Sequence, residues 1–334
     1  MLVLQAVAAS PSHGFGIMQR IDQLSGEVFQ VPPRTVYPTL HRLENRGLLA
    51  ATRKTLDGQF VKFYRLTATG RARLGDDTGW KLLSDAIGRI AKLQHEMETA
   101  AAIQRALVPT THRVGPFFDA AAAMMPCRSI GGDFFDYMDL PGGALGFALG
   151  DVAGKGPPAA LLAALMQGSL AAQAPVSDGP AATVAAVNSA VVRRGIQGRF
   201  VTLFYGVLCP DGRVTYCNAG HNPPIFVSNS GVRRLETGGM VLGFFEDVPY
   251  AEECVTLQPD DYLVLFSDGI SEAMNDAEEE FGDGRLIDCL AGVAEAEADS
   301  RLRHIFASVK QFTASAPQHD DVTAMVMGYR SPAA

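Results

Sequence analysis

Along the first 75 residues the apolar positions recur at helical spacing and then switch to strand-like runs. Leu2 to Ala9 is a short apolar run broken by Ser10-Pro11-Ser12, and Ile17, Ile21 and Leu24 mark one face of a second helix over Gly16 to Ser25. A third helix is expected from about Thr35 to Arg46, with Val36, Leu40 and Leu43 inward. Thr35 would be its N-cap, Pro38 would lie in the first turn, where no N–H is needed, and Gly47 would end it. Leu48 to Thr55 and Phe60 to Leu66 read as strands around Asp57-Gly58, a strong hairpin signal. This first region is therefore expected to be three helices followed by a two-stranded wing.

From Asp76 to Ala106 the chain has no proline and little glycine. Trp80, Leu83, Ile87, Ile90, Met97 and Ala101 recur at spacings near 3 and 4, the pattern of a long amphipathic helix that could pair with a second copy. Gln94 interrupts the stripe, and Pro109 ends the helix. Beyond His112 alternating strands take over, with helices expected at about Pro158–Ala174, Ala181–Arg194 and Asp299–Thr313. Hairpins are expected at Pro210-Asp211-Gly212 and at Ser228 to Gly231. Three regions result: 1–75, a linker over 76–108, and 109–330.

Charge sharpens this division. Residues 1–75 carry 10 Lys+Arg against 4 Asp+Glu, whereas the remainder carries 18 against 32. A basic first region invites a polyanion; an acidic second one repels it except where cations are bound. Five cysteines without CxxC spacing point to a reducing, cytoplasmic setting and no zinc site. The opening MLVLQAVAAS lacks the basic start of a signal peptide and reads as a buried helix. Gly156 to Ser177 is uncharged over 22 residues, but its alanine-rich composition and internal Gln167, Ser169 and Gln173 favour a core helix over a membrane span.

The chemistry concentrates at four acidic strand ends. An apolar strand runs into Asp151 in GFALGDVAGKGPP; two glycines precede Asp133 in SIGGDFFD; YLVLFSDGI ends on Asp268; HDDVT places Asp320 and Asp321 before the last strand. Any one of these is ordinary turn chemistry. Together they could converge on a pair of hard divalent cations, which favour carboxylate, carbonyl and water ligands. Other motifs fail on inspection. GGDFF has Phe134 where a diguanylate cyclase signature is acidic, and GDVAGKG lacks the spacing of a phosphate-binding loop. HEMET lacks the second histidine of a zinc protease, and no cysteine is followed six positions later by arginine. His221 in AGHNPP reads as a loop-ordering residue in preference to a proton donor.

Two family resemblances follow. SHGFGIMQRI, VYPTLHRLENRGLL and KFYRLTATGRARL resemble the PadR family of winged helix-turn-helix regulators, with Arg34 and Phe15 departing from its usual residues. That resemblance implies binding of double-stranded DNA. Thr35, Tyr37, Thr39 and Arg42 would meet the major groove, and Arg53, Lys54 and Lys62 would meet phosphates. The pieces AAIQRALVP, GGDFFD, GDVAGKG, RFVTLFYGVL, YCNAGHNPPI, LVLFSDGISEA and HDDVT, in that order, resemble the SpoIIE-like branch of the PPM metal-dependent protein phosphatases. This implies an α+β fold, an α-β-β-α sandwich with the metals at one end. It also implies a protein-serine/threonine phosphatase using two Mn²⁺ or Mg²⁺ ions. By resemblance Asp151 bridges the ions, the Val152 carbonyl ligates one, Asp268 and Asp320 hold the other, and Asp133 binds directly or through water. Asp136 and Asp321 would lie outside the ligand set, and the phosphate-gripping arginine of eukaryotic relatives has no clear counterpart. The implied substrate is a phosphorylated regulator of the anti-sigma-factor-antagonist type. A homodimer is expected because a winged helix usually binds a symmetric site as a pair, with the stripe from Trp80 to Met97 to supply the contact, and no membrane association is expected. The rival reading is a DNA-binding regulator whose second half is a catalytically inactive sensing domain; a third makes the winged helix a docking module.

Overall fold

The computed structural model describes residues 2–24, 32–56, 59–75, 78–195, 198–291 and 297–331. The chain forms two compact units, 1–98 and 99–334.

The first unit holds α1 (Leu2–Ala9), β1 (Ser12–His13), α2 (Gly14–Leu24), α3 (Pro33–Asn45), β2 (Leu49–Leu56), β3 (Gln59–Leu66) and α4 (Ala68–Gly75). Its core is the set that helical spacing selects: Leu4, Ile17, Ile21, Val36 and Leu40 pack with Leu49, Tyr64 and Leu66 from the strands. Three details differ from the sequence reading. The third helix starts at Pro33, after Pro32, with no side-chain cap, so Thr35 is not its N-cap and Pro38 lies inside the helix. Pro33 at the first helical position, where its fixed φ suits the helix, explains the earlier start. The wing is three-stranded, in the order β1-β3-β2, because Ser12 and His13 pair with Tyr64 and Phe63. An unforeseen α4 follows, capped by Thr67, whose Oγ1 accepts the Gly70 amide at 3.0 Å. The turn residues Asp57 and Gly58, and Ser25 at the expected end of α2, lie outside the described residues; Leu56 and Gln59 pair on either side of the turn.

A single helix, α5 (Thr78–Leu107), follows. The side chains of Trp80 and Leu83 lie outside the described residues. Of the expected positions Ile87 and Ala101 are buried, Met97 is half-buried and Ile90 is 48% exposed; Leu93, outside that set, is 60% exposed. The expected stripe is thus split between covered and bare positions.

The second unit is built on two six-stranded sheets. Its elements are β4 (His112–Val114), β5 (Phe118–Met125), β6 (Phe134–Asp139), β7 (Leu145–Val152), α6 (Pro157–Gln173), α7 (Pro180–Val192), β8 (Val201–Leu208) and β9 (Arg213–Ala219). Then come β10 (Ile225–Ser228), β11 (Gly231–Arg234), β12 (Gly238–Gly239), β13 (Glu253–Thr256), β14 (Tyr262–Phe266), α8 (Asp268–Ser271), α9 (Gly282–Ala291), α10 (Ala298–Thr313) and β15 (Val322–Tyr329). One sheet runs β11-β10-β14-β15-β5-β4; the other runs β12-β9-β8-β7-β6, with β13 also on β9.

Strand alternation assigns the layers. Leu145, Phe147 and Leu149 of β7 meet Leu263 and Leu265 of β14 and Met325 and Met327 of β15 in the core between the sheets. The intervening Ala148 and Val152 face Leu162, Met166 and Leu170 of α6 and Val187 of α7. On the other side, Tyr262, Val264 and Phe266 face Leu286 of α9 and Leu302 and Ile305 of α10. Three separate cores give the α-β-β-α sandwich expected from the sequence. The uncharged stretch after Gly156 is α6, with its buried stripe against the sheet. Among the described residues no helix is long and apolar enough to cross a membrane.

Candidate active site

Pairing brings the acidic strand ends to one place. Phe134 at the start of β6 pairs with Gly150 near the end of β7, so Asp133 and Asp151 share one sheet end. Phe266 at the end of β14 pairs with Ala324 of β15, which puts Asp268 beside Asp320 and Asp321. Side chains then join the two sheets. Thr323 Oγ1 donates to Asp133 Oδ2, and the Gly132 amide donates to Asp321 Oδ2 at 2.7 Å. Within one sheet, the Ser267 hydroxyl ties the end of β14 to the start of β15: it donates to the Asp321 carbonyl at 3.1 Å and accepts the Thr323 amide at 3.0 Å.

Glycine is required where backbone meets this cluster. A Cβ on Gly131 would collide with the Asp321 carboxylate, and one on Gly269 with the Asp321 carbonyl. A Cβ on Gly132 would stand 2.7 Å from the Val152 carbonyl oxygen, the atom expected to act as a ligand. Pro157, at the first position of α6, follows Gly156, whose φ of 76° suits glycine.

The electrostatics follow from burial. Asp133 is 2% exposed; burial first, and then the Asp151 charge, push its pKa well above the usual carboxylate range. Burial, followed by Asp268 and Asp320, raises Asp151 to about 6. Asp268 is raised by burial and by Asp320. Carboxylates that raise one another's pKa carry uncompensated negative charge, and a divalent cation relieves that directly. The donors are hard oxygens, a fit to Mg²⁺ or Mn²⁺. Cys127 Sγ lies with Asp320 and Asp321 oxygens, all within 4.8 Å of one another. Burial and Asp321 push this thiol's pKa up, and a protonated thiol is a poor ligand.

The five carboxylates do not play one part. Asp321 is buried and spent on backbone: besides Gly132, its Oδ1 accepts the Cys127 amide at 2.8 Å. Asp320 instead meets Lys155 Nζ at 2.8 Å, and Lys155 also donates to the His319 carbonyl. Asp136, on β6, stays apart, its Oδ1 accepting its neighbour Tyr137's amide at 2.8 Å. No local pattern in GDVAGKG marks Lys155, because its partner Asp320 comes from a distant strand end. His221 is buried, with Nδ1 2.8 Å from Thr202 Oγ1 and its amide donating to Asn218 Oδ1 at 2.7 Å. Thr202 pairs with Asp151 across β7 and β8.

In the first unit Thr35, Tyr37, Thr39 and Arg42 lie on α3, Arg53 and Lys54 on β2, and Lys62 on β3. Tyr37 is 50% exposed, with its ring over Gly14. Thr39 Oγ1 donates to the Thr35 carbonyl at 2.8 Å, and Lys62 is paired with Glu44 at 3.2 Å.

Comparison with known proteins agrees with this architecture. Residues 141–330 match the family model of stage II sporulation protein E (SpoIIE), and residues 3–76 match that of the PadR-like transcriptional regulators. Phosphoserine phosphatase RsbU of Bacillus subtilis is 29% identical over 184 residues, 54% of this chain and 55% of that protein. Transcriptional regulator Rv3488 of Mycobacterium tuberculosis is 41% identical over 75 residues, 22% of this chain and 67% of that protein. The chain spans about half the length of the curated phosphatase relative it matches, 55% of RsbU. Among solved structures, the SiaA-PP2C domain of Pseudomonas aeruginosa superposes with a TM-score of 0.63 at 21% identity, covering 72% of this chain and 99% of that one. The fold is therefore that of the PP2C phosphatase domains. From its matched models, its core layers and its converging aspartates, the chain belongs to the SpoIIE family of PPM phosphatase domains, joined to a PadR-like N-terminal domain.

Proposed function

We propose that the chain is a metal-dependent protein-serine/threonine phosphatase acting on a phosphorylated regulatory protein of the anti-sigma-factor-antagonist type, with its activity coupled to the PadR-like domain. The observation that carries this is the convergence of Asp133, Asp151, Asp268 and Asp320 at one end of the sandwich, where burial and neighbouring carboxylates raise the pKa values of Asp133, Asp151 and Asp268. Asp151, the Val152 carbonyl, Asp268, Asp320 and Asp133 would hold two Mn²⁺ or Mg²⁺ ions. When bound, such a pair supplies an activated nucleophile and neutralises charge on the transferring phosphoryl group.

The chain's own residues do the rest. Asp321 fixes the loop carrying Asp133 by accepting backbone amides. Lys155, freed if metal binding draws Asp320 away, would offer a cation beside the acidic cluster to a phosphate oxygen, the role that the arginine of eukaryotic relatives fills. His221, held by burial at a pKa of about 4, is neutral at physiological pH; it orders the turn at Asn218 and supports Thr202 behind Asp151. Retention of all four aspartates argues against the inactive-sensor alternative. RsbU is named a phosphoserine phosphatase, which supports the substrate class.

The test is Asp151→Asn, which removes the central ligand's charge and is expected to abolish Mn²⁺-dependent hydrolysis of p-nitrophenyl phosphate. Wild-type turnover in this variant, with metal still required, would overturn the assignment.

A further inference from the structure

A cleft of about 380 Å³ opens directly beside the acidic centre. Lys155, Gly269 and Asp320 form one end of it, so it shares residues with the strand ends that gather the aspartates. Its body is apolar, walled by Met125, Ala273, Met274, Phe306 and Val309. Two of these walls, Met125 and Met274, are 45% and 38% exposed, a bare apolar surface that the unit's own core does not cover.

Size and charge narrow the occupant. The volume lies at the lower end of the ~300–1,000 Å³ typical of small-ligand pockets, enough for a large side chain and too little for a docked helix. Lys155 and Lys310 on the rim are balanced by Glu272 and Asp320, so the cleft has no preference for either sign of charge. An apolar group fits it best, since a charged one would lose hydration without gaining a committed partner. Position names the source. A chain whose phosphoserine lies at the aspartates advances roughly 3.3 Å per residue when extended, which brings the side chain one or two positions away over the cleft.

We propose that this cleft is a specificity subsite that receives an apolar side chain of the phosphoprotein substrate, one or two residues from the phosphoserine. The proposal rests on the phosphatase reading above and adds to it what the enzyme reads besides phosphate. Methionine walls suit such a role because a flexible, polarisable side chain adapts to leucine, methionine or phenylalanine alike.

The experiment uses the full chain with Mn²⁺ and a set of phosphoserine peptides that differ only in carrying leucine, lysine or aspartate at positions one and two on either side. Wild type is expected to favour leucine over aspartate at one of these positions by at least about tenfold in kcat/KM, the discrimination an apolar pocket provides. Ala273→Phe fills the cleft and is expected to erase that preference while p-nitrophenyl phosphate, too small to reach it, is hydrolysed within about twofold of wild type. Met274→Glu adds a charge at the rim; it is expected to weaken the leucine peptide and improve the lysine peptide, which misfolding cannot do. Equal kcat/KM for all peptides in an enzyme that hydrolyses p-nitrophenyl phosphate would overturn the subsite, as would an undiminished leucine preference in Ala273→Phe. Failure of wild type to hydrolyse p-nitrophenyl phosphate with any divalent metal would overturn the phosphatase reading, and the subsite with it.

Discussion

Gly132 and Asp321, 189 positions apart in sequence, are joined by a 2.7 Å hydrogen bond from the glycine amide to the carboxylate. The contact ties the loop that carries Asp133 to the loop that carries Asp320, one from each sheet. Asp321→Asn replaces an acceptor oxygen with a donor facing backbone amides and is expected to cost about 1–3 kcal/mol. Gly131→Ala should act in the same direction, because its Cβ meets the same carboxylate. Thermal unfolding in the presence of a chelator reads the stability without metal binding, and hydrolysis should fall in parallel. An Asp321→Asn protein with unchanged melting and turnover would show that the clamp has no role.

That pair also marks how far the sequence could be read. The apolar strands running into Asp151 and Asp268 were legible, because alternation and a following glycine are local signals. The difference between Asp320 and Asp321 rests on contacts from residues 127 and 132, which no local pattern carries. Lys155 was hidden for the same reason: its partner Asp320 lies on another strand end. In the first unit the core positions of α3 were readable, but its start was misplaced. Thr35 had the chemistry of a cap, whereas Pro33 set the first turn. The short β1 escaped notice because two residues show no periodicity; only pairing with β3 defines it.

His221 should make stability depend on pH. Burial lowers its pKa from 6.5 to about 4 in the folded protein. Between those values the unfolded chain binds a proton that the native state refuses. Stability is therefore full above about pH 6.5 and falls as pH drops toward 4, by about 3 kcal/mol in all. His221→Gln has no such proton to exclude. It is expected to be less stable at pH 7, having lost the Thr202 contact, yet to lose less on acidification. Urea unfolding followed by circular dichroism from pH 7 to 4.5 gives both slopes; parallel slopes would rule out this source of acid sensitivity.

For the winged helix, the prediction concerns phosphate contacts. Lys54 lies 5.3 Å from the Phe63 ring centroid and Lys62 is paired with Glu44, so both cations sit on the wing's surface. If they meet DNA phosphates, replacing both by glutamine should weaken binding to duplex DNA and reduce the salt dependence of log K by about 2. Arg42→Ala on α3 should instead reduce discrimination between sequences. Fluorescence anisotropy across a salt series separates the two effects. No binding by the full chain at low salt would favour the docking-module alternative.

The last prediction concerns α5, whose C-terminal part meets the loop before Asp133 through Gln104. Gln104 Nε2 donates to the Gly131 carbonyl at 2.8 Å, and its Oε1 accepts the Gly131 amide at 3.2 Å. Gly131 directly precedes the Gly132 that Asp321 grips, so a shift of this helix would be expected to displace the loop that carries Asp133. Gln104→Ala should lower phosphatase activity and weaken metal binding by isothermal titration, although it removes no ligand. Farther up the helix, the bare positions suited to a second copy are Ile90 and Leu93, at 48% and 60% exposure; Ile87 is buried, and its mutation would report on folding instead. Ile90→Asp with Leu93→Asp should therefore convert a dimer to a monomer by light scattering and change turnover only through Gln104. A coupled helix predicts that the double change alters activity in the wild-type background but has no further effect once Gln104 is alanine. Additive effects of the two sets of substitutions would mean that α5 tethers the two units without transmitting anything between them.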